Sequence, residues 1–232
     1  MKPAIIQVEV GLVQNFCTLV GDPQSGLCAI VDPAFEVDRI LRTLGDAGWS
    51  PAAIWLTHTH FDHIEGVAPL LQKLQPTQPM QQYGRPLPVF VGSDEAQAVQ
   101  AACLAAGVTP SLQLLTGGET LSLGSLAVQV LATPGHTAAG RSYYLPDLGA
   151  VITGDTLFVG SCGRPAAPST IPTLWHSLMR LGELPEETRI YPGHDYGSTK
   201  TSSIGWELQK NPYLRCADAA AFASLIKSRI GR

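Results

Sequence analysis

Residues 57–63 read Thr57-His58-Thr59-His60-Phe61-Asp62-His63, which places three imidazoles and a carboxylate within six consecutive positions. Neutral imidazole is a good ligand for zinc and iron, and carboxylate is a hard partner for the same ions. On an extended segment leaving a strand, side chains two residues apart point the same way, so His58 and His60 can grip one ion together. Asp62 and His63 follow where the chain should turn into a helix. They face a different direction and could hold a second ion. The competing account is a surface loop that happens to be rich in histidine.

The chain has six histidines, and two of the remaining three share one local setting. His136 stands in Thr133-Pro134-Gly135-His136-Thr137, just past a predicted strand at 126–132. His194 stands in Tyr191-Pro192-Gly193-His194-Asp195, just past a predicted strand at 189–191. Asp155 repeats the arrangement in Ile152-Thr153-Gly154-Asp155-Thr156. Strand ends hold functional side chains on rigid supports, and small turn residues let backbones approach closely. This recurrence argues against the histidine-rich loop. His176, near Trp175 and Leu178 on a predicted helix, reads as packing or surface.

These turns need strands and helices to hold them. Polarity patterns predict strands at 4–10, 16–20 and 27–32, separated by turn chemistry at Gly11 and 21–26, as in an antiparallel meander. Asp32-Pro33 ends the third strand. A helix from Glu36 to about Ala47 has Val37, Ile40, Leu41 and Leu44 on one face, and Gly48 stops it. The strand 52–57 delivers the histidine cluster, and a helix is predicted from about Ile64 to Leu74. Residues 75–88, rich in Pro and Gln, read as a loop: a rim, a subunit contact or a passive spacer. Val89-Phe90-Val91 is a short strand, and Ser93 is expected to cap an Ala-rich helix ending before Gly107. Strand-turn-strand returns from Glu119 to Thr133 around Gly124, with further strands at 142–145 and 150–153. A helix follows Ile171-Pro172 to about Leu181, and helical segments continue past the strand at 189–191. Strands and helices, then strands and helices again, favour an α+β class with two sheets back to back over a doubly wound parallel sheet.

At 232 residues, the chain can bury a large core, and the expectation is a single domain with a short helical C-terminal part from about 198. No stretch approaches the roughly 18 uninterrupted apolar residues of a membrane span. The formal charge of −4 comes from scattered acids and bases, without the clustered basic face of a nucleic-acid binder. The N-terminus alternates like a strand and lacks a signal pattern, and the five cysteines are an odd number without CxxC spacing. Cytoplasm is the expected location, and a homodimer is compatible with the sequence.

The blocks HxHxDH (His58, His60, Asp62, His63), PGHT, GDT and PGHDY, in this order along nearly the whole chain, resemble the metallo-β-lactamase superfamily. The resemblance implies a four-layer αββα sandwich, in agreement with the element order. It implies one metal held by His58, His60 and His136, and a second held by Asp62, His63 and His194, with Asp155 bridging both. Zinc is the foremost candidate, with iron or manganese as substitutes.

The second half looks most like glyoxalase II (hydroxyacylglutathione hydrolase). That family contacts glutathione through a basic residue after Cys-Gly and a Tyr after His-acidic, where Arg164 and Tyr196 stand here. The family's Tyr two residues past the basic position is Ala166 in this chain, and the C-terminal helical part is shorter. The implied activity is hydrolysis of a small glutathione-linked thioester, such as S-lactoylglutathione. Paired ions lower the pKa of a shared water to give a bridging hydroxide, with Asp62, Asp155 or a metal-bound water shuttling the proton. A thiolate leaving group, with a thiol pKa of about 8.5, needs no strong acid. Read from the residues alone, Arg164 either pairs with a substrate carboxylate or closes the 160–165 turn, and Tyr196 either donates to the ligand or packs beside His194.

The alternative within the family is persulfide dioxygenase, which shares the Cys-Gly-Arg stretch and would use a single iron at His58, His136 and Asp155. Its first motif carries Ala before the Asp, where this chain has Phe61. A third reading is a metal-binding module without a reaction, against which stands the filling of all seven ligand positions.

Overall fold

The computed structural model describes residues 4–74 and 86–230. The first sheet begins as an antiparallel meander of β1 (Ile5–Val10), β2 (Asn15–Gly21) and β3 (Leu27–Val31). It continues with parallel β4 (Ser50–Trp55), β5 (Pro88–Gly92) and β6 (Ser111–Leu115). Parallel neighbours need crossovers, and these carry α1 (Val37–Ala47), then α2 (Phe61–Ile64) and α3 (Val67–Lys73), then α4 (Ala96–Ala105).

The second sheet contains β7 (Thr120–Leu123), β8 (Leu126–Ala132), β9 (Arg141–Leu145), β10 (Ala150–Gly154), β13 (Arg189–Pro192) and β14 (Ser202–Ser203), in the order β14-β13-β10-β9-β8-β7. Between β10 and β13 lie a small hairpin, β11 (Leu157–Phe158) with β12 (Ser161–Cys162), and α5 (Ile171–Gly182). The helices α6 (Ile204–Lys210) and α7 (Ala219–Ile230) follow.

Strand alternation explains the layers. Along β4, Ile54 packs towards the helices with Ile30, Ile40 and Leu70, whereas Ala53 and Trp55 face the other sheet. On β10, Ile152 joins that inter-sheet core, and Val151 points outward into a cluster with Leu174, Leu178 and Phe222. Trp55 stacks on Tyr143 across the sheets at 5.1 Å, and the Tyr143 hydroxyl donates to the Leu56 carbonyl at 2.8 Å. The result is the expected α+β, four-layer αββα sandwich.

Local departures have physical causes. The helix predicted from Ile64 to Leu74 starts earlier and is broken at Gly66. The Gly66 N–H donates to the Pro33 carbonyl at 3.0 Å instead of continuing the helix, and this close pass leaves no room for a side chain, since a Cβ would lie 2.5 Å from the Ala34 carbonyl oxygen. Asp62 and His63 consequently sit inside α2. Ser93 does not cap the Ala-rich helix with its side chain; a 3₁₀ turn, Ser93–Glu95, precedes α4. The strand β6 was not expected from sequence: of its residues only Leu115 is buried, so it carries little apolar alternation. Most of the expected 75–88 loop, residues 75–85, lies outside the described residues. No disulfide joins the five cysteines. Among the described residues, no helix is long and apolar enough to cross a membrane.

Candidate metal centre

Four strand ends and one short helix meet at one edge of the sandwich. The segment after β4 is pinned by the Arg141 backbone N–H donating to the Thr57 carbonyl at 2.7 Å. The end of β13 is tied to its neighbours by Gly193 N–H donating to Gly154 O at 2.9 Å and Phe16 N–H donating to Gly193 O at 2.8 Å. Gly193 is required by space: a Cβ would stand 2.4 Å from Asp155 Oδ1 and 2.9 Å from His63 Cε1.

All seven residues singled out from sequence come together. His58 Nε2 lies 3.1 Å from His60 Nδ1, which lies 3.0 Å from His136 Nε2. Close by, His63 Nε2 is 3.2 Å from His194 Nε2, and Asp62 Oδ2 is 3.6 Å from the latter. Asp155 stands between the two groups, with Oδ2 3.5 Å from His136 Nε2 and 3.3 Å from His194 Nε2, and Oδ1 3.4 Å from His63 Nε2.

The outward nitrogens of four histidines are already committed. His136 Nδ1–H donates to the Arg164 carbonyl at 2.7 Å, and His194 Nδ1–H to the Val13 carbonyl at 2.9 Å. His63 Nδ1–H donates to Asp32 Oδ2 at 3.0 Å. The Thr57 hydroxyl donates to Asp32 at 2.6 Å, so His58 Nδ1–H must donate to Thr57 Oγ1, 3.1 Å away. These bonds fix the tautomers and turn each Nε2 lone pair into the centre.

Lone pairs crowded together in this way repel unless a shared proton or a cation lies between them. Tetrahedral zinc with nitrogen ligands at about 2.1 Å separates those nitrogens by about 3.4 Å, close to the spacings here. Asp155 Oδ1 is buried and has no hydrogen-bond partner, which an ion would supply. The triads His58, His60, His136 and Asp62, His63, His194 each bring three ligand atoms within 4.8 Å of one another. The donor set of imidazole and carboxylate suits zinc, iron or manganese.

Electrostatics agree with the geometry. Burial disfavours charge on His58, and the neighbouring His63, His136 and His60 push its pKa further down. For His63, burial is outweighed by the carboxylates of Asp155, Asp32 and Asp62, which lift it to about 9, so Nε2 holds a proton that an ion would displace. Burial likewise opposes an ionised Asp155, but His63, His194 and His58 hold its pKa well below the usual carboxylate range. The centre thus favours positive charge beside its aspartates.

Several supporting residues were not expected from sequence. Asp32, read only as a strand end, is buried at φ +49° and accepts from Thr57 N–H, Thr57 Oγ1 and His63. Asn15 Nδ2 donates to the Asp62 carbonyl and to Asp62 Oδ2 at 2.8 and 3.1 Å. Glu95 ties Thr59 Oγ1 to Ala139 N–H, at 3.0 and 2.8 Å. The one available hint was an acidic residue ending β3, the strand beside the one that delivers His58. The two expected substrate contacts lie at the rim. Tyr196 is half exposed and stacks on His194 at 4.5 Å, and the Arg164 side chain is exposed. His176 is exposed on α5 beside Trp175, away from this group.

Comparison with known proteins agrees with this geometry. Residues 10–194 match the family described as the metallo-beta-lactamase superfamily. Hydroxyacylglutathione hydrolase of Brucella ovis is 38% identical over 182 residues, which is 78% of this chain and 62% of that protein. The chain therefore spans 62% of the length of the curated relatives it matches first. Among solved structures, ETHE1 from Myxococcus xanthus aligns with a TM-score of 0.77 and 31% identity, covering 96% of this chain and 89% of that one. The protein TTHA1623, solved in a di-iron-bound form, aligns with a TM-score of 0.70 and 32% identity, covering 90% and 100% respectively. With four ordered motifs, two stacked sheets and a histidine–aspartate centre at their edge, the chain belongs to the metallo-beta-lactamase superfamily.

Proposed function

We propose that this protein is a metal-dependent hydrolase of a small acyl thioester, an S-acylglutathione such as S-lactoylglutathione. The observation that carries the reading is the pair of ligand triads with Asp155 between them. His58, His60 and His136 would hold one divalent ion, Asp62, His63 and His194 a second, and Asp155 would bridge them. Zinc is the first choice, and iron or manganese could substitute. The relatives named hydroxyacylglutathione hydrolase support the substrate class, and the di-iron form of a relative supports two ions. Bound there, such ions would supply Lewis acidity and lower the pKa of a shared water from 15.7 to about 7.

The chain's own side chains do the rest. Asp62 and Asp155 are the carboxylates nearest the inward nitrogens and are placed to accept and relay a proton. Asn15 holds Asp62 in orientation through its donated bonds. Arg164, exposed at the rim, would pair with a carboxylate of the thiol carrier, and Tyr196 would donate a hydrogen bond to the same ligand. A thiolate leaves without strong acid assistance, which suits a site whose histidines are all committed to ligation.

The single-iron dioxygenase reading uses only His58, His136 and Asp155. It leaves unexplained why His60 Nδ1 points between the first two and why a second complete triad is present. Two assays on the purified protein separate the readings. Thiol release from S-lactoylglutathione with no oxygen uptake on glutathione persulfide is the expected outcome. Oxygen uptake with one iron per chain and no thiol release would overturn it.

A further inference from the structure

We propose that Glu207 and Asn211, on and just after α6, position His136 and thereby set the affinity of one ion site separately from the other. The proposal rests on the two-site reading above.

Glu207 and Asn211 are both completely buried. The Glu207 carboxylate accepts the Gly160 backbone N–H, at 3.0 Å to the nearer oxygen, together with the Ser202 hydroxyl and Asn211 Nδ2. Asn211 Nδ2 also donates to the Ser161 carbonyl at 2.9 Å, while its Oδ1 accepts from Tyr213 N–H at 2.9 Å. These bonds fasten the first half of the 160–164 turn to the C-terminal segment. The other end of that turn is Arg164, whose carbonyl receives the His136 Nδ1–H at 2.7 Å. Just beyond, Ala166 N–H donates to the Gly135 carbonyl at 2.9 Å. Hydrogen bonds from α6 and Asn211 thus hold Gly160 and Ser161, and the backbone just beyond carries the Arg164 carbonyl that receives the ring N–H of a single ligand.

The second triad is held from elsewhere. Asn15 orients Asp62, Asp32 orients His63, and the Val13 carbonyl orients His194. All three partners belong to the first hairpin and the end of β3. Asp32 serves both sites, since it also reaches His58 through Thr57, whereas Asn15 and Val13 contact the second triad and the C-terminal helix is linked to His136 of the first. Displacing an outer hydrogen-bond partner of a ligating histidine costs about 10–100-fold in metal affinity, so removing a partner that serves one site should loosen that site alone.

The test uses the full chain with 15N-labelled histidine, titrated with zinc against a chromophoric chelator. Wild type should show two binding steps. Glu207→Gln sets an amide N–H against buried donors, and Asn211→Ala removes the bond to Ser161 while keeping the carboxylate. Each should weaken one step about tenfold and leave the other within about twofold. The Nδ1–H resonance of His136 should shift, and that of His194 should stay. Asn15→Ala should weaken the opposite step. If Glu207→Gln does not fold, Asn211→Ala alone decides the matter. Unchanged steps in a folded variant, or equal weakening of both steps with both resonances moved, would overturn the clamp while leaving two sites intact. A single zinc step in wild type would overturn the two-site reading and the clamp with it.

Discussion

Asp32 shows how one residue outside the ligand set governs it. Its carboxylate accepts three bonds, two from Thr57 and one from His63 Nδ1, and so orients His58 indirectly and His63 directly. Its φ of +49° is unusual for a residue with a side chain, though Asn and Asp tolerate that region best. Asp32→Asn therefore keeps the backbone while placing an NH2 group against at least one donor. Zinc affinity should fall about 10–100-fold, read by chelator competition; an unchanged affinity would remove Asp32 from the account. At this scale the sequence was most informative. Metal ligation admits few residue types, so His58, His60, Asp62, His63, His136, Asp155 and His194 stood out. Outer partners can be any donor or acceptor, and Asp32, Thr57 and Asn15 therefore carried no mark of their own.

Turns decide how the elements lock together. Asp22 follows β2 and is fully buried. It accepts from Ser25 and Gln24 in its own turn and from the backbone and hydroxyl of Ser125 in the β7–β8 turn of the other sheet. Burial alone would raise its pKa, but these hydroxyl and backbone donors outweigh it and hold the carboxyl well below the usual range. Asp22→Asn leaves buried donors facing an amide and should cost about 2–4 kcal/mol at pH 7. A depressed folded-state pKa gives stability that is complete above the unfolded value, about 3.9, and is lost as pH falls towards the folded one. The gap in urea midpoint between wild type and variant should hold from pH 7 to 5 and narrow below about pH 4. A gap that stays constant to pH 3 would contradict this. Element boundaries were legible where a face alternated cleanly, as in Leu126–Ala132. They were hidden where a tertiary contact decides, as at Gly66 against the Ala34 carbonyl or at Glu95, whose carboxylate bridges Thr59 and Ala139.

On the scale of the whole molecule, the candidate centre joins the two sheets. His58, His60, Asp62 and His63 come from the end of β4 and from α2, whereas His136, Asp155 and His194 come from the ends of β8, β10 and β13. Ions bound there would fasten one sheet to the other in the native state only. Zinc at 1,000 times its dissociation constant should stabilise the fold by about 4 kcal/mol. For a chain of this length that raises the thermal midpoint by roughly 10 °C. Calorimetry with zinc and then with chelator reads the shift, and no difference would mean the centre does not tie the sheets together. The two-sheet plan was legible in the order of strands and helices. Its site needed the fold, because ligands as distant as His58 and His194 meet only when the sheets stack.

The most direct test of a paired-ion centre bridged by one carboxylate is the metal content of wild type and Asp155→Ala after unbound ions are removed. Wild type should carry two ions per chain and the variant close to none. One ion per wild-type chain, or a variant that keeps both, would contradict that centre.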